Sequence, residues 1–235
     1  MSTAVVILSG GQDSTTCAAI AKSQFDEVYA ITFNYGQRHL VEIQSATKVA
    51  KELGLTFHEI IDLGAEVLAS TSPLVSAKKL DKYNSYDELP DGVEPTFVPA
   101  RNLLFLTIAA NRAALVGATD IFIGVCQEDF GGYWDCRQDF IDSMQSTIGL
   151  ALSGDASHLS IRTPLMDLSK AESINLSVSV LGDDFNRVMA LTHTCYDGVV
   201  GGCGKCHACI LRDRGFKNSG ISDPLWAIRN ENTSS

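Results

Sequence analysis

No stretch of this chain approaches the ~18 consecutive apolar residues of a membrane span, although 45% of its 235 residues are hydrophobic. The N-terminus carries no basic segment and no small-residue cleavage site, so the expected location is the cytoplasm. Basic residues are scarce. Eighteen Lys and Arg against twenty-eight Asp and Glu leave a formal net charge of −10. That balance argues against a protein whose main task is gripping nucleic-acid phosphates, and it reads as solubility. There are six prolines, and Pro73, Pro90, Pro95 and Pro99 fall in one stretch. No internal repeat or low-complexity segment is present. No glycine is followed by Lys-Ser or Lys-Thr, which excludes the Walker phosphate loop. Position 14 is Ser rather than a third glycine, which excludes the dinucleotide fingerprint. The length allows one large domain, or one domain and a small appendage.

What the chain does have begins at its start. The apolar run Ala4-Val5-Val6-Ile7-Leu8 reads as a buried parallel strand. Ser9-Gly10-Gly11-Gln12-Asp13-Ser14 follows it directly. Two glycines let the backbone turn tightly and approach a ligand. Asp13 or Ser14 is placed to cap a helix over residues 15–22. Free N–H groups at such a helix start favour a phosphate. The pattern S-G-G-x-D-S resembles the pyrophosphate loop of the ATP pyrophosphatase families, which cut ATP between its α and β phosphates. That resemblance makes Leu8, Ser9, Gly10, Gly11, Gln12, Asp13, Ser14 and Thr15 the expected ATP-binding residues, with Mg²⁺ accompanying the nucleotide.

Strands are expected at 28–33, 56–61 and 120–125, and helices at 40–53 and 103–116. This alternation predicts an α/β fold: a Rossmann-like parallel sheet with helices on both faces. Ligands in such folds sit beyond the carboxyl ends of the strands. Residues 70–99 break the rhythm and read as a long loop or lid, a surface insertion over 76–92 and functional over 96–102. Residues 1–190 are taken as the ATP-binding domain, 191–220 as a small metal-binding subdomain and 221–235 as a tail.

Seven cysteines in a cytoplasmic chain are no disulfide framework. Cys17 falls on the apolar side of the first helix and reads as core. Cys195, Cys203, Cys206 and Cys209 cluster with spacings x₇, x₂ and x₂ among Gly198, Gly201, Gly202 and Gly204. Four thiolates favour tetrahedral zinc in a closed, structural site. An iron–sulfur cluster or a redox pair uses the same residues. His207 is a neighbour that could substitute as a ligand. So Gly-rich a segment builds no core of its own, and metal binding supplies folding energy.

Four polar stretches complete the pattern: 33–39, 96–102, 124–137 and 163–172. With the loop at 9–17 and residues 194–209, they resemble, in order, the 7-cyano-7-deazaguanine synthase family, over about residues 4–214. Ala100 stands where that family usually has Gly, and Gly131 and Trp134 where Ser and Pro are common. The resemblance implies the adenine nucleotide α-hydrolase type of Rossmann-like fold, a homodimer and a ligase. Its reaction joins 7-carboxy-7-deazaguanine and ammonium at the expense of ATP, activating the carboxylate and then the amide to give the nitrile.

For such chemistry, Lys170 and Arg101 are candidates to neutralise charge on the α-phosphate. Arg38 or Arg137 is a candidate to pair with the substrate carboxylate. Glu128 or Asp129 would take the aminopyrimidine edge, and Phe33, Phe97 or Tyr133 would stack on the ring; Asn102 lies beside Arg101. Asp13 would orient the loop or help hold Mg²⁺. The product nucleotide is AMP by resemblance, with ADP from kinase-type cleavage left open. Two other readings exist. A tRNA sulfur-transferase would need an exposed nucleophilic cysteine, such as Cys126 or Cys136, and a basic surface. A zinc-ribbon binding module would need basic or aromatic residues around its cysteines, where only Lys205, Arg212 and Arg214 lie close.

Overall fold

Alternate residues of the first strand part into two cores. Val5 and Ile7 face one side of the sheet, while Ala4, Val6 and Leu8 face the other, as a strand buried on both faces requires. The computed structural model describes residues 1–38, 40–90, 92, 94–126, 133–152 and 158–226. Among these, five parallel strands form one sheet: β1 (Thr3–Ile7), β2 (Glu27–Asn34), β3 (Phe57–Asp62), β4 (Asp120–Phe122) and β5 (Ser160–Arg162). Their order is β3-β2-β1-β4-β5. The order reverses between β1 and β4, and the crevice above that switch point is where such sheets take ligands.

Helices α1 (Gln12–Gln24) and α2 (Val41–Glu52) cover one face, burying Cys17, Ala18, Ala46 and Val49 against Val6 and Val28. Cys17 is fully buried there, as expected of a core residue. Helices α3 (Arg101–Val116) and α4 (Gln138–Ala151) cover the other face with Phe105, Leu106, Ile141 and Met144. Beyond β5 lie α5 (Lys170–Leu181), the short α6 (Phe185–Met189) and α7 (His207–Ser219). Ile174, Phe185, Met189 and Phe216 join these three in a satellite core. No helix among the described residues is long and apolar enough to cross a membrane.

Three local expectations are corrected. Helix α1 begins at Gln12, not at residue 15, and its N-cap is Gly11 without a side-chain cap. Ser14 is already inside the helix, and its hydroxyl donates back to the Gly11 carbonyl at 3.1 Å. β4 ends at Phe122, three residues early, where the chain must pass the start of α1. A Cβ on Gly124 would stand 2.9 Å from the Asp13 carbonyl carbon and the Ser14 nitrogen. The segment read as a surface insertion over 76–92 also makes tertiary contacts. Lys82 pairs with Asp197, the Tyr83 N–H donates to the Lys205 carbonyl at 2.8 Å, and Arg214 lies over the Tyr86 ring. It straps the cysteine-bearing segment to the rest of the molecule.

Candidate active site

The loop after β1 is closed by its own side chains. The Ser9 N–H donates to Ser14 Oγ at 3.1 Å, the two hydroxyls lie 3.0 Å apart, and the Gly11 N–H donates to Ser9 Oγ at 3.3 Å. Gly10 holds φ at +83°, and a Cβ there would meet the Ala46 nitrogen and the Glu42 carbonyl oxygen at 2.6 Å. Only glycine fits between the loop and the start of α2. On the opposite side, the His193 N–H donates to the Gly10 carbonyl at 2.8 Å. The loop is thus pinned from two directions, with the N-terminal N–H groups of α1 pointing outward and the helix dipole favouring an anion. Gln12 Oε1 and Thr15 Oγ1 are buried without a hydrogen-bond partner among the described residues.

Lys170 opens α5 and reaches Asp13 Oδ2 at 2.7 Å, both side chains being about one-fifth exposed. A Ser169–Glu172 capping box fixes that helix start. Lys170, Gly11, Gln12, Asp13, Thr194 and Arg212 line a small cavity of about 110 Å³.

The larger cavity, about 260 Å³, opens above the switch point. The loop, Thr32, Tyr35, Glu42, Arg101, Ile123 and Tyr133 lie on its walls. Phe33 stacks on Phe105 at 4.1 Å between centroids, and Phe97 packs on Tyr133 at 5.3 Å. Burial opposes the Arg101 cation, but Tyr35, Tyr133, Cys136 and Asp135 around it outweigh that cost and drive its pKa up. Glu42 shares this field. Burial raises its carboxyl to about 7, Arg101 partly offsets the rise, and Cys195 adds to it. Burial likewise raises the Tyr35 phenol, which hydrogen-bonds to Arg101, and pushes Tyr133 up to about 12. Asn102 is a pin: its N–H donates to Asp135 Oδ2 and its amide to the Asp135 carbonyl, each at 3.0 Å.

The Cys195, Cys203, Cys206 and Cys209 sulfurs all lie within 4.8 Å of one another. Tetrahedral zinc with Zn–S near 2.3 Å separates its sulfurs by about 3.8 Å, so the donor set fits that ion. Backbone N–H groups of Lys205 and Cys206 donate to Cys203 Sγ at 3.4 and 3.2 Å, and that of Cys203 to Cys195 Sγ at 3.3 Å. Hydrogen bonds from the Cys206 and Cys209 thiols, with that N–H, pull the Cys195 pKa down. Such bonds favour thiolates, the ligand form. His207 stands outside this donor group, its ring edge-on to Tyr83.

Of the residues singled out from sequence, Leu8, Ser9, Gly11, Ser14, Arg101 and Asn102 meet on the larger cavity, and Gln12, Asp13 and Lys170 on the smaller. Thr15 is fully buried inside α1. Arg38 and Arg137 line neither. Arg38 donates to the Lys78 carbonyl at 3.1 Å, and the Arg137 guanidinium lies 4.2 Å from the Trp134 ring centre. Trp134 is exposed and forms no part of the cavity wall. Glu128, Asp129 and Gly131 lie outside the described residues. Sequence reasoning missed Glu42 and His193. Glu42 sits on an ordinary amphipathic helix and His193 in a bland loop, and only the fold brings them to the Ser9–Ser14 loop.

A parallel sheet covered on both faces, a Ser-Gly-Gly-Gln-Asp-Ser loop at its switch point and a nearby cluster of four cysteines define an α/β protein with a ligand-sized crevice above that loop. The chain belongs to the family described as queuosine biosynthesis protein QueC, whose model matches residues 3–220. It is 60% identical over 231 residues to the 7-cyano-7-deazaguanine synthase of Gloeobacter violaceus, covering 98% of each chain. It is 42% identical to the 7-cyano-7-deazaguanine synthase of Myxococcus xanthus, covering 94% of this chain and 95% of that one. Among solved structures, it is similar to an NH3-dependent NAD synthetase from Campylobacter jejuni. That likeness is 15% in sequence over 98% of this chain and 82% of the other, with a TM-score of 0.44.

Proposed function

We propose that this chain makes 7-cyano-7-deazaguanine from 7-carboxy-7-deazaguanine, ammonium and ATP. The observation that carries the reading is the shared cavity: the Ser-Gly-Gly-Gln-Asp-Ser loop, the half-buried Arg101 and aromatic walls face one space above the switch point. The names of the relatives supply the product, 7-cyano-7-deazaguanine, and the carboxylic acid, ammonium and ATP as its precursors are what the family resemblance implies.

A carboxylate resists attack because its charge repels nucleophiles and oxide does not leave. The N–H groups of Gly10 and Gln12, with the Ser9 hydroxyl, hold the β and γ phosphates, while the Gly11 N–H and the Ser14 hydroxyl keep the loop closed. The substrate carboxylate attacks the α-phosphorus, pyrophosphate departs with its electron pair, and the acyl oxygen becomes part of AMP, a good leaving group. Ammonium gives up a proton, and the ammonia so formed displaces AMP and loses a second proton to give the amide. The amide oxygen then attacks a second ATP in the same way and leaves as AMP, and loss of two protons gives the nitrile. Lys170 and Arg101 offset charge growing on the α-phosphate. Arg38 and Arg137 being engaged elsewhere, Arg101 also serves the carboxylate. Asp13, paired with Lys170, orients the loop. Mg²⁺ bound with ATP would neutralise phosphate charge. Tyr133 and the Phe33–Phe105 stack offer apolar faces to the base.

The four cysteines would hold Zn²⁺ in a structural role, steadying Thr194 and Tyr196, which line the cavity. Residues 191–220 then act as a small subdomain on the 1–190 domain, with 221–235 as a tail. A homodimer, a cytoplasmic location and no direct nucleic-acid contact belong to the same reading, carried by the resemblance and the charge of −10.

The test is nucleotide turnover by chromatography. ATP should become AMP only when the carboxylic acid is present, and Arg101→Ala should lower that rate at least a hundredfold. Acid-independent turnover, or release of ADP, would contradict the reading.

A further inference from the structure

A carboxylate stands where two anionic substrates must meet. Glu42 lies in the first turn of α2 and lines the larger cavity with Ser9, Gly11 and Arg101. Its main-chain oxygen is 2.6 Å from where a Cβ on Gly10 would be, so it adjoins the phosphate loop. Its side chain makes no hydrogen bond or ion pair among the described residues, and it feels the charge of Arg101, which lines the same cavity. A partly desolvated carboxylate without a bonded partner is costly. Beside a triphosphate and a carboxylic acid it would also repel both substrates.

On the reaction proposed above, one substrate is a cation. Ammonium offers four N–H donors, and a carboxylate accepts as many through its two oxygens. The other natural fit for a carboxylate is the two-donor aminopyrimidine edge of the base. That edge lies at the far end of the bicycle from the reacting carboxyl group, whereas Glu42 sits at the phosphate end. We infer that Glu42 is the ammonium subsite, holding the nitrogen donor between the phosphate loop and Arg101, next to the carbon it must reach. Among the described residues lining the cavity, its carboxylate is the one attractive charge for a small cation. The inference rests on the synthase reading.

The test is steady-state kinetics on the full-length, metal-loaded protein with ammonium chloride, ATP and the acid varied in turn. Glu42→Gln keeps the shape and removes the charge. It should raise the KM for ammonium at least tenfold, leave the KM values for ATP and the acid within threefold, and regain most of kcat at saturating ammonium. Glu42→Asp, with a shorter carboxylate, should fall between wild type and Glu42→Gln, and it carries the test alone if the amide variant does not fold. An unchanged ammonium KM, or a rise confined to ATP or the acid, overturns the assignment while leaving the synthase reading intact. A wild-type protein that consumes no nucleotide with the acid present overturns the synthase reading and this inference with it.

Discussion

Arg212 and Asp223 form a fork-to-fork pair in the molecule's interior, their side chains 4% and 2% exposed. Arg212 Nε donates to Asp223 Oδ2 at 2.6 Å and one terminal nitrogen to Oδ1 at 2.8 Å. The other donates to Thr192 Oγ1 at 2.8 Å and Thr194 Oγ1 at 3.0 Å. The pair therefore ties α7 to the strand of chain that leads into Cys195. Asp223→Ala leaves a guanidinium buried with two neutral hydroxyls and the face of Phe216. Removing one partner of such a pair costs about 3–5 kcal/mol. With a urea slope of about 2 kcal/mol per molar, the unfolding midpoint should fall by about 1.5–2.5 M. The double variant Asp223→Ala/Arg212→Met removes both charges and keeps apolar volume, so it should recover at least half of that loss. Urea titration followed by tryptophan fluorescence at pH 7 reads both. A midpoint shift under about 0.5 M for the single variant, or a double variant as unstable as the single one, would refute the reasoning.

Other outcomes follow from the same geometry. Burial sets the folded Glu42 carboxyl near 7, above its ordinary 4.5. A raised carboxyl pKa means that ionisation costs stability as pH rises between those values, so Glu42→Gln should match wild type at pH 4. At pH 8 it should be more stable by about 1–3 kcal/mol, read as thermal unfolding of ligand-free protein across pH. Ala100 caps α3 at φ +61°, where an L side chain costs about 1–2 kcal/mol, so Ala100→Gly should stabilise by up to about 1 kcal/mol after its entropy cost. Chelation of the metal, or Cys206→Ser, should lower the melting temperature by more than 10 °C, with zinc restoring the chelated protein but not the variant. Lys170→Ala, which strips Asp13 of its 2.7 Å partner, should reduce kcat at least tenfold with a smaller effect on the KM for the acid.

The sheet and its site were legible where each signal was local. The run Ala4–Leu8 followed by Ser9–Ser14 identified β1, its turn and α1, because apolar length and paired glycines act within a few residues. The four cysteines announced themselves by spacing, and their sulfurs do converge. The helix start was misplaced because Ser14 looks like a cap, yet its hydroxyl is spent closing the loop. α5 was not drawn as an element although Ser169-x-x-Glu172 is a capping-box pattern. The strap over residues 81–88 could not be read, since its partners Asp197, Lys205 and Arg214 lie more than a hundred residues away. Glu42 was invisible for the same reason: an acidic residue in the first turn of a helix is ordinary until the fold sets it beside the Ser9–Ser14 loop.

The most direct measurement of the central claim follows the nitrogen. Purified protein with ATP, Mg²⁺, ¹⁵N-ammonium and 7-carboxy-7-deazaguanine should yield, by mass spectrometry, 7-cyano-7-deazaguanine carrying one ¹⁵N and two AMP for each nitrile formed. Recovery of the unchanged acid with no nucleotide consumed would contradict the account.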